Sequence, residues 1–265
     1  MAVNACRSRD DGTARMTPQV FPYDLSEPSG ARLGLIVLQS DETIERDMRR
    51  LLPQDAQLMV SRVPSDPEVT RDTLASMEAH LSTAAGLLPA GLSFDAVGYG
   101  CTSGTAQIGV DNVASRICDS IDTRAVTQPL SSLLAACEYL GLKRLALLSP
   151  YVLAVSETLR AALSNGGITT DVVGSFEVST ESAVVRIDPA SVESAAMTLM
   201  AQADVDGLFL SCTNLRTLDV IERLETDLDL PVLSSNQVLA WHMMKLAGVQ
   251  ASTQAPGRLF DQTRA

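Results

Sequence analysis

From about residue 32 onward, hydrophobic and polar positions divide the chain into a recurring two-part unit. Short, nearly uninterrupted apolar runs occupy 33–38, 57–63, 96–99, 144–148, 170–176, 207–210 and 230–233. Longer segments follow them, with apolar residues three and four apart, at 43–51, 70–87, 109–121, 131–141, 154–166, 189–203 and 214–227. Runs without alternation predict strands buried on both faces, and the spaced segments predict amphipathic helices. Asp188 and Pro189 ahead of one helix, and Gly141 and Gly166 behind two others, supply start and stop signals. The expected fold is α/β, with parallel sheets flanked by helices.

A weak internal echo refines that picture. DAVGYGCTSGT from Asp95 is matched by DGLFLSCTNLRT from Asp206, and RLGLIVLQSDETIERDM from Arg32 resembles RLALLSPYVLAVSETL from Arg144. The repeat predicts two pseudo-symmetric, Rossmann-like lobes. Residues 31–127 with 236–265 form the first lobe, carrying Cys101, and residues 128–235 the second, carrying Cys212. Residues 1–30 are polar and aperiodic and read as a mobile extension.

Composition narrows the function classes. With 20 Lys+Arg against 32 Asp+Glu, the chain of 265 residues has a net charge of -12, a field that repels phosphate backbones and anionic membranes. Neither nucleic acid nor membrane is an expected partner. Apolar runs fall short of the roughly 18 residues that span a bilayer, and charges interrupt the first residues where a secretory leader needs a continuous apolar stretch. Five cysteines in this length are sparse and odd in number, which favours free thiols in a reducing, cytoplasmic setting.

Two of those cysteines carry candidate chemistry. Cys101 and Cys212 each stand at the carboxyl end of a predicted strand, where open α/β sheets bind ligands. Each precedes a threonine and a predicted helix start, whose free N–H groups favour a thiolate or a bound carboxylate. The arrangement suits acid/base or nucleophilic chemistry on a small carboxylic acid. A lone strand-end cysteine is ordinarily a small buried hydrophobe, and it is the matched Cys-Thr pair that weighs against this. Cys118 and Cys137 lie in helical patterns and read as packing residues, and Cys6 lies in the extension. His80 and His242 lack metal-ligand spacing, and the glycines of GYGCTSGT lack the Lys-Ser/Thr ending of a phosphate loop. Trp241 reads as a packing anchor.

GYGCTSGT and FLSCTNLRT, with the segments GLIVLQSDETIE, LALLSPY, VVRIDP and LPVLSSNQVLAW, resemble the aspartate/glutamate racemase superfamily, in its branch containing maleate cis–trans isomerase and arylmalonate decarboxylase. That resemblance implies an active site between the lobes and no metal or organic cofactor. It implies that Cys101 adds to a double bond or exchanges a proton while Cys212 delivers or removes one. It further implies that Tyr151, Thr102, Ser103 and Thr213 contact the substrate. The decarboxylases keep only the second thiol, so the presence of both speaks against decarboxylation.

The departures are informative as well. Where the isomerases carry carboxylate-binding asparagines, this chain has Asp41 and, further along, Glu181 or Ser182. A carboxylate facing a dicarboxylate is repulsive in a desolvated pocket, so these acids point to a substrate bearing a cationic group beside its carboxylate. The alternative for Asp41 is a helix N-cap. The LQSDETIE version resembles the ectoine-utilisation proteins, which implies an ectoine or diaminobutyrate derivative. The expectation is therefore a cofactor-independent isomerase or racemase of a small carboxylate. The alternatives are maleate isomerisation and a catalytically silent binding or sensing protein. Self-association is compatible with such folds, but no interface is legible.

Overall fold

The computed structural model describes residues 19–26, 29–201, 203–252 and 254–261, so most of the N-terminal extension, with Cys6, lies outside the described residues. Described residues 19–26 run without regular secondary structure and are exposed.

The apolar runs become two four-stranded parallel sheets. In the first half β1 (Arg32–Leu38), α1 (Ile44–Leu51) and β2 (Gln57–Val63) lead through α2 (Arg71–Ser76) and α3 (Glu78–Ala85) to β3 (Ser93–Phe94) and β4 (Ala96–Gly100). Next come α4 (Thr102–Ile108), α5 (Val110–Cys118), β5 (Asp122–Thr123) and β6 (Val126–Thr127). The second half holds α6 (Pro129–Leu140), β7 (Arg144–Tyr151), α7 (Leu153–Asn165), β8 (Thr169–Val178), α8 (Glu181–Val184), α9 (Pro189–Met200) and β9 (Gly207–Leu210). It ends with α10 (Ile221–Leu228), β10 (Val232–Ser234), α11 (Ser235–Ala247) and α12 (Arg258–Asp261).

One sheet has the order β2-β1-β4-β6 and the other β10-β9-β7-β8, with β3 and β5 forming a separate parallel pair. The central strands β1, β4, β7 and β9 are almost wholly buried, as their unbroken apolar runs demand. Helix α11 returns to the first sheet and packs on β4. The approach is close: a Cβ on Gly98 of β4 would lie 2.6 Å from the Met243 sulfur. Among the described residues no helix is long and apolar enough to cross a membrane.

Three expected helices differ in detail. The segment 70–87 divides at Met77 into α2 and α3. The helix expected from residue 109 is preceded by a separate α4, joined to α5 through Gly109 at a φ of 95°, which glycine adopts without a Cβ clash. The helix expected from residue 214 begins only at Ile221. Polar groups at 213–214 are committed elsewhere: the Thr213 carbonyl accepts from Asn236 Nδ2, and the Asn214 carbonyl accepts from the Thr43 hydroxyl.

Candidate active site

All the candidate residues stand at or just beyond strand carboxyl ends. Asp41 follows β1, Cys101 follows β4, Tyr151 ends β7, Glu181 follows β8, and Cys212 follows β9. The two sheets present these ends to each other. Thr213 Oγ1 donates to the Gly100 carbonyl at 3.2 Å, Thr102 Oγ1 donates to Ser235 Oγ at 2.8 Å, and the Glu42 N–H donates to Asn214 Oδ1 at 2.9 Å. The junction between the two sheets is thus laced by hydrogen bonds from both sides.

Cys101 caps α4 in extended backbone, and its Sγ accepts the Gly104 N–H at 3.2 Å. The side chain is only 6% exposed. Burial dominates its acidity and pushes the thiol up to about 12, against the lowering effect of the Gly104 N–H. The Glu181 charge raises it further, and the Tyr99 hydroxyl beside it pulls it down.

Cys212 is 3% exposed and has a φ of 101°, a left-handed backbone rarely taken by a residue with a side chain. Its N–H donates to Ser235 Oγ at 2.9 Å, and its Sγ accepts the Asn214 N–H at 3.3 Å. Tyr151 Oη lies 3.0 Å from Sγ and donates its own proton to Glu181 Oε1 at 2.6 Å. Glu181 Oε2 accepts from Asn214 Nδ2 at 2.9 Å. Burial raises the Cys212 thiol, and so does the Glu181 charge, while Tyr151 and the Asn214 N–H oppose them. Burial also raises Glu181 against the hydrogen bonds from Tyr151 and Asn214.

The helix starts do not lower the two thiols as expected. Cys101 does open a helix, but Cys212 is followed by a loop, and burial takes both thiols upward. Desolvation of a buried sulfur outweighs one or two N–H donors.

Asp41 is buried and uses its two oxygens differently. Oδ1 accepts the N–H groups of Thr43 and Ile44, both at 2.8 Å, at the start of α1, whose N-cap position is Thr43 and not Asp41. Oδ2 is buried, and among the described residues it has no hydrogen-bond partner. Burial raises its pKa, opposed by the two N–H donors, by the Thr213 hydroxyl beside it and by Arg62. The Asp41 charge is felt at both Cys101 and Cys212. Ser103 is buried next to Cys101, whereas Ser182 is exposed and Glu181 takes the interior position.

Glu181 is fixed by the segment linking β2 to α2. That segment reaches the second half of the chain, where the Val69 N–H donates to Ser179 O and the Glu181 N–H to Pro67 O. Three residues that the sequence reading passed over belong to this network: Tyr99 beside Cys101, Asn214 between Cys212 and Glu181, and Ser235 between Thr102 and Cys212. Ser235 immediately follows β10, the same strand-end signal that marked the cysteines.

A family profile described as arylmalonate decarboxylase matches residues 110–260. The arylmalonate decarboxylase of Bordetella bronchiseptica is 36% identical over 126 residues, which is 47% of this chain and about half, 52%, of that relative. The maleate isomerase of Nocardia farcinica is 26% identical over 245 residues, 88% of this chain and 97% of its own. The fold agrees with the structure of a cysteine-to-serine variant of the Nocardia farcinica maleate cis–trans isomerase that carries a covalently bound succinylcysteine intermediate. The TM-score is 0.78 at 23% identity, over 88% of this chain and 99% of that one.

Proposed function

The chain belongs to the arylmalonate decarboxylase family, and from that premise we propose that it is a cofactor-independent isomerase or racemase in which Cys101 and Cys212 act together on a small carboxylate bearing a cationic group. The observation that carries this reading is a buried carboxylate, Asp41, beside two buried thiols, with an Oδ2 that among the described residues makes no close hydrogen bond. An unpaired carboxylate oxygen in a desolvated site repels a plain dicarboxylate and is matched by an ammonium or amidinium.

In this reading the substrate carboxylate is held by Thr102 and Ser103 at the start of α4 and by Thr213 just beyond β9. Its cationic group meets Asp41 Oδ2. One thiol, as thiolate, removes the α-proton while the other supplies a proton from the other side, inverting the centre. An amino-acid derivative fits this pattern, and a catabolite of ectoine or diaminobutyrate is the substrate we propose. Both thiols are raised by burial, so thiolate forms at cost in the closed site, and a cationic substrate entering beside them offsets that cost.

The second reading is cis–trans isomerisation by covalent addition of Cys101 to a double bond. It is favoured by the full-length likeness to maleate isomerases and by the succinylcysteine in one such relative. Incubation with N-acetylated L- and D-diaminobutyrates and with maleate in deuterated water, followed by NMR, separates the two. Exchange of the α-proton supports the racemase. Fumarate from maleate with no α-exchange supports the isomerase, and no reaction of either kind supports a silent binding protein.

A further inference from the structure

The proposed reaction leaves unused a buried carboxylate next to Tyr151 and Cys212. Glu181 does not present a free oxygen to the cleft: Oε1 accepts from Tyr151 Oη at 2.6 Å and Oε2 accepts from Asn214 Nδ2 at 2.9 Å. Tyr151 Oη has given its one proton to Glu181, so at 3.0 Å the Cys212 thiol is the donor to the tyrosine oxygen. The result is a continuous line, Cys212 Sγ–H to Tyr151 Oη–H to Glu181 Oε1, with each link at hydrogen-bond distance and all three residues buried.

We propose that Glu181 accepts the Cys212 proton through the Tyr151 hydroxyl and so serves as a positioning residue for the Cys212 thiolate, not as a substrate contact. The inference rests on the reading of Cys212 as a reactive thiol. In the transfer the S–H bond breaks as a new O–H bond forms on Tyr151, and the former Tyr151 proton passes to Glu181 Oε1. Sulfur gains the negative charge that the carboxylate loses, the tyrosine is regenerated with its hydroxyl turned toward the thiolate, and no proton leaves the site. This gives a thiol that is hard to ionise toward bulk water an internal acceptor only two hydrogen bonds away.

Other groups facing the line do not replace that acceptor. Asp41 adds only like charge, and its Oδ1 is engaged by the Thr43 and Ile44 N–H groups. Asp66 and Glu68 line a small cavity with Glu181 but are exposed. Arg62 is occupied with the Leu38, Gln39 and Asp41 carbonyls and with Glu45.

The test is the pH profile of Cys212 alkylation by iodoacetamide in the full chain without substrate, with each cysteine followed separately by peptide mass spectrometry. Thiolate reacts and thiol does not. If Glu181 holds the proton, the rate rises with pH until the Glu181 carboxyl ionises, and then runs flat, because thiolate formation no longer changes the charge of the pair. In Glu181→Gln the flat region is lost and the rate climbs about tenfold per pH unit across the same range. In Tyr151→Phe the flat region falls at least about tenfold, because the thiolate loses its hydroxyl donor. Buried Cys137 reports folding in the same digest, and where Glu181→Gln exposes it the Tyr151→Phe rate decides. An unbroken tenfold-per-unit rise in the parent, a Glu181→Gln profile superimposable on the parent, or an unchanged Tyr151→Phe rate overturns the proposal. None of these readouts depends on turnover, so a failed relay is distinguishable from a failed assignment of the two thiols to isomerisation.

Discussion

Ser235 Oγ accepts the backbone N–H of Cys212 at 2.9 Å, fixing from the first residue of α11 a residue whose φ is 101°. The same oxygen accepts the Thr102 hydroxyl at 2.8 Å, so one serine ties the peptide of the second cysteine to the helix that the first cysteine opens. The two thiol sites are therefore not independent, and displacing Ser235 disturbs both.

Ser235→Ala leaves the buried Cys212 N–H without a partner, at a cost of about 1–3 kcal/mol. Chemical denaturation should show that loss, and turnover should fall because the left-handed Cys212 backbone relaxes. Unaltered stability together with unaltered turnover would remove Ser235 from the account.

Asp41→Asn preserves an oxygen for the Thr43 and Ile44 N–H groups, so the turn into α1 stays held, but it removes the charge that the cationic group of the substrate is proposed to meet. Loss of a charge-assisted contact of about 1.5–3 kcal/mol predicts a KM roughly 10–100-fold higher for an ammonium-bearing substrate. A competing dicarboxylate should bind better to the same variant. Steady-state kinetics with both classes check this, and equal effects on the two would reduce Asp41 to a holder of that turn.

Gly104 has no room for a side chain: an added Cβ would lie 2.8 Å from Cys101 Sγ, 2.8 Å from Met77 Cε and 2.9 Å from the Tyr99 hydroxyl. Gly104→Ala therefore displaces the thiol directly. Overpacking costs about 1–3 kcal/mol, and misplacement of a reacting atom by about 1 Å costs on the order of 100-fold in rate. Turnover should drop far more than the melting temperature alone explains.

Asp47 offers a pH prediction away from the thiols. Burial raises its carboxyl from the ordinary 3.8 to about 6, while the Asn236 amide donates to it at 2.8 Å and lowers it. Because the folded value exceeds the unfolded one, the stability this group permits is complete below about 4 and is lost as pH rises through about 6. Asp47→Asn, which keeps an acceptor for Asn236, should stabilise the fold above pH 6 by up to about 3 kcal/mol, with the gain vanishing below pH 4. Equal gains at acid and neutral pH in denaturant titrations would contradict the burial argument.

Much of this molecule is legible in its hydrophobic pattern because its strands are buried on both faces. The unbroken runs of β1, β4, β7 and β9 mark the sheets directly, and the first few residues beyond the runs of β1, β4 and β9 mark the site, which is how Asp41, Cys101 and Cys212 stand out. What stays hidden depends on partners far away in sequence. Asn214 sits in an apparently helical stretch, but its carbonyl and side chain bond to Thr43, Glu42 and Glu181, which holds the loop away from a helix. Helix-start arguments likewise miss desolvation, a property of the assembled cleft, and it is desolvation that sets the thiols of Cys101 and Cys212. Tyr151 and Glu181 are 30 positions apart in the chain and meet only because β8 lies beside β7.

The central claim is that Cys101 and Cys212 do the chemistry together, and its most direct measurement is α-proton exchange into an accepted substrate in deuterated water by the parent, Cys101→Ser and Cys212→Ser, each shown to be folded. Serine keeps the shape but is a far poorer acid and base, so either single variant should fall by at least about 1000-fold, the scale on which removal of an essential acid or base is felt. Exchange at the parent rate in either variant would contradict the two-thiol account.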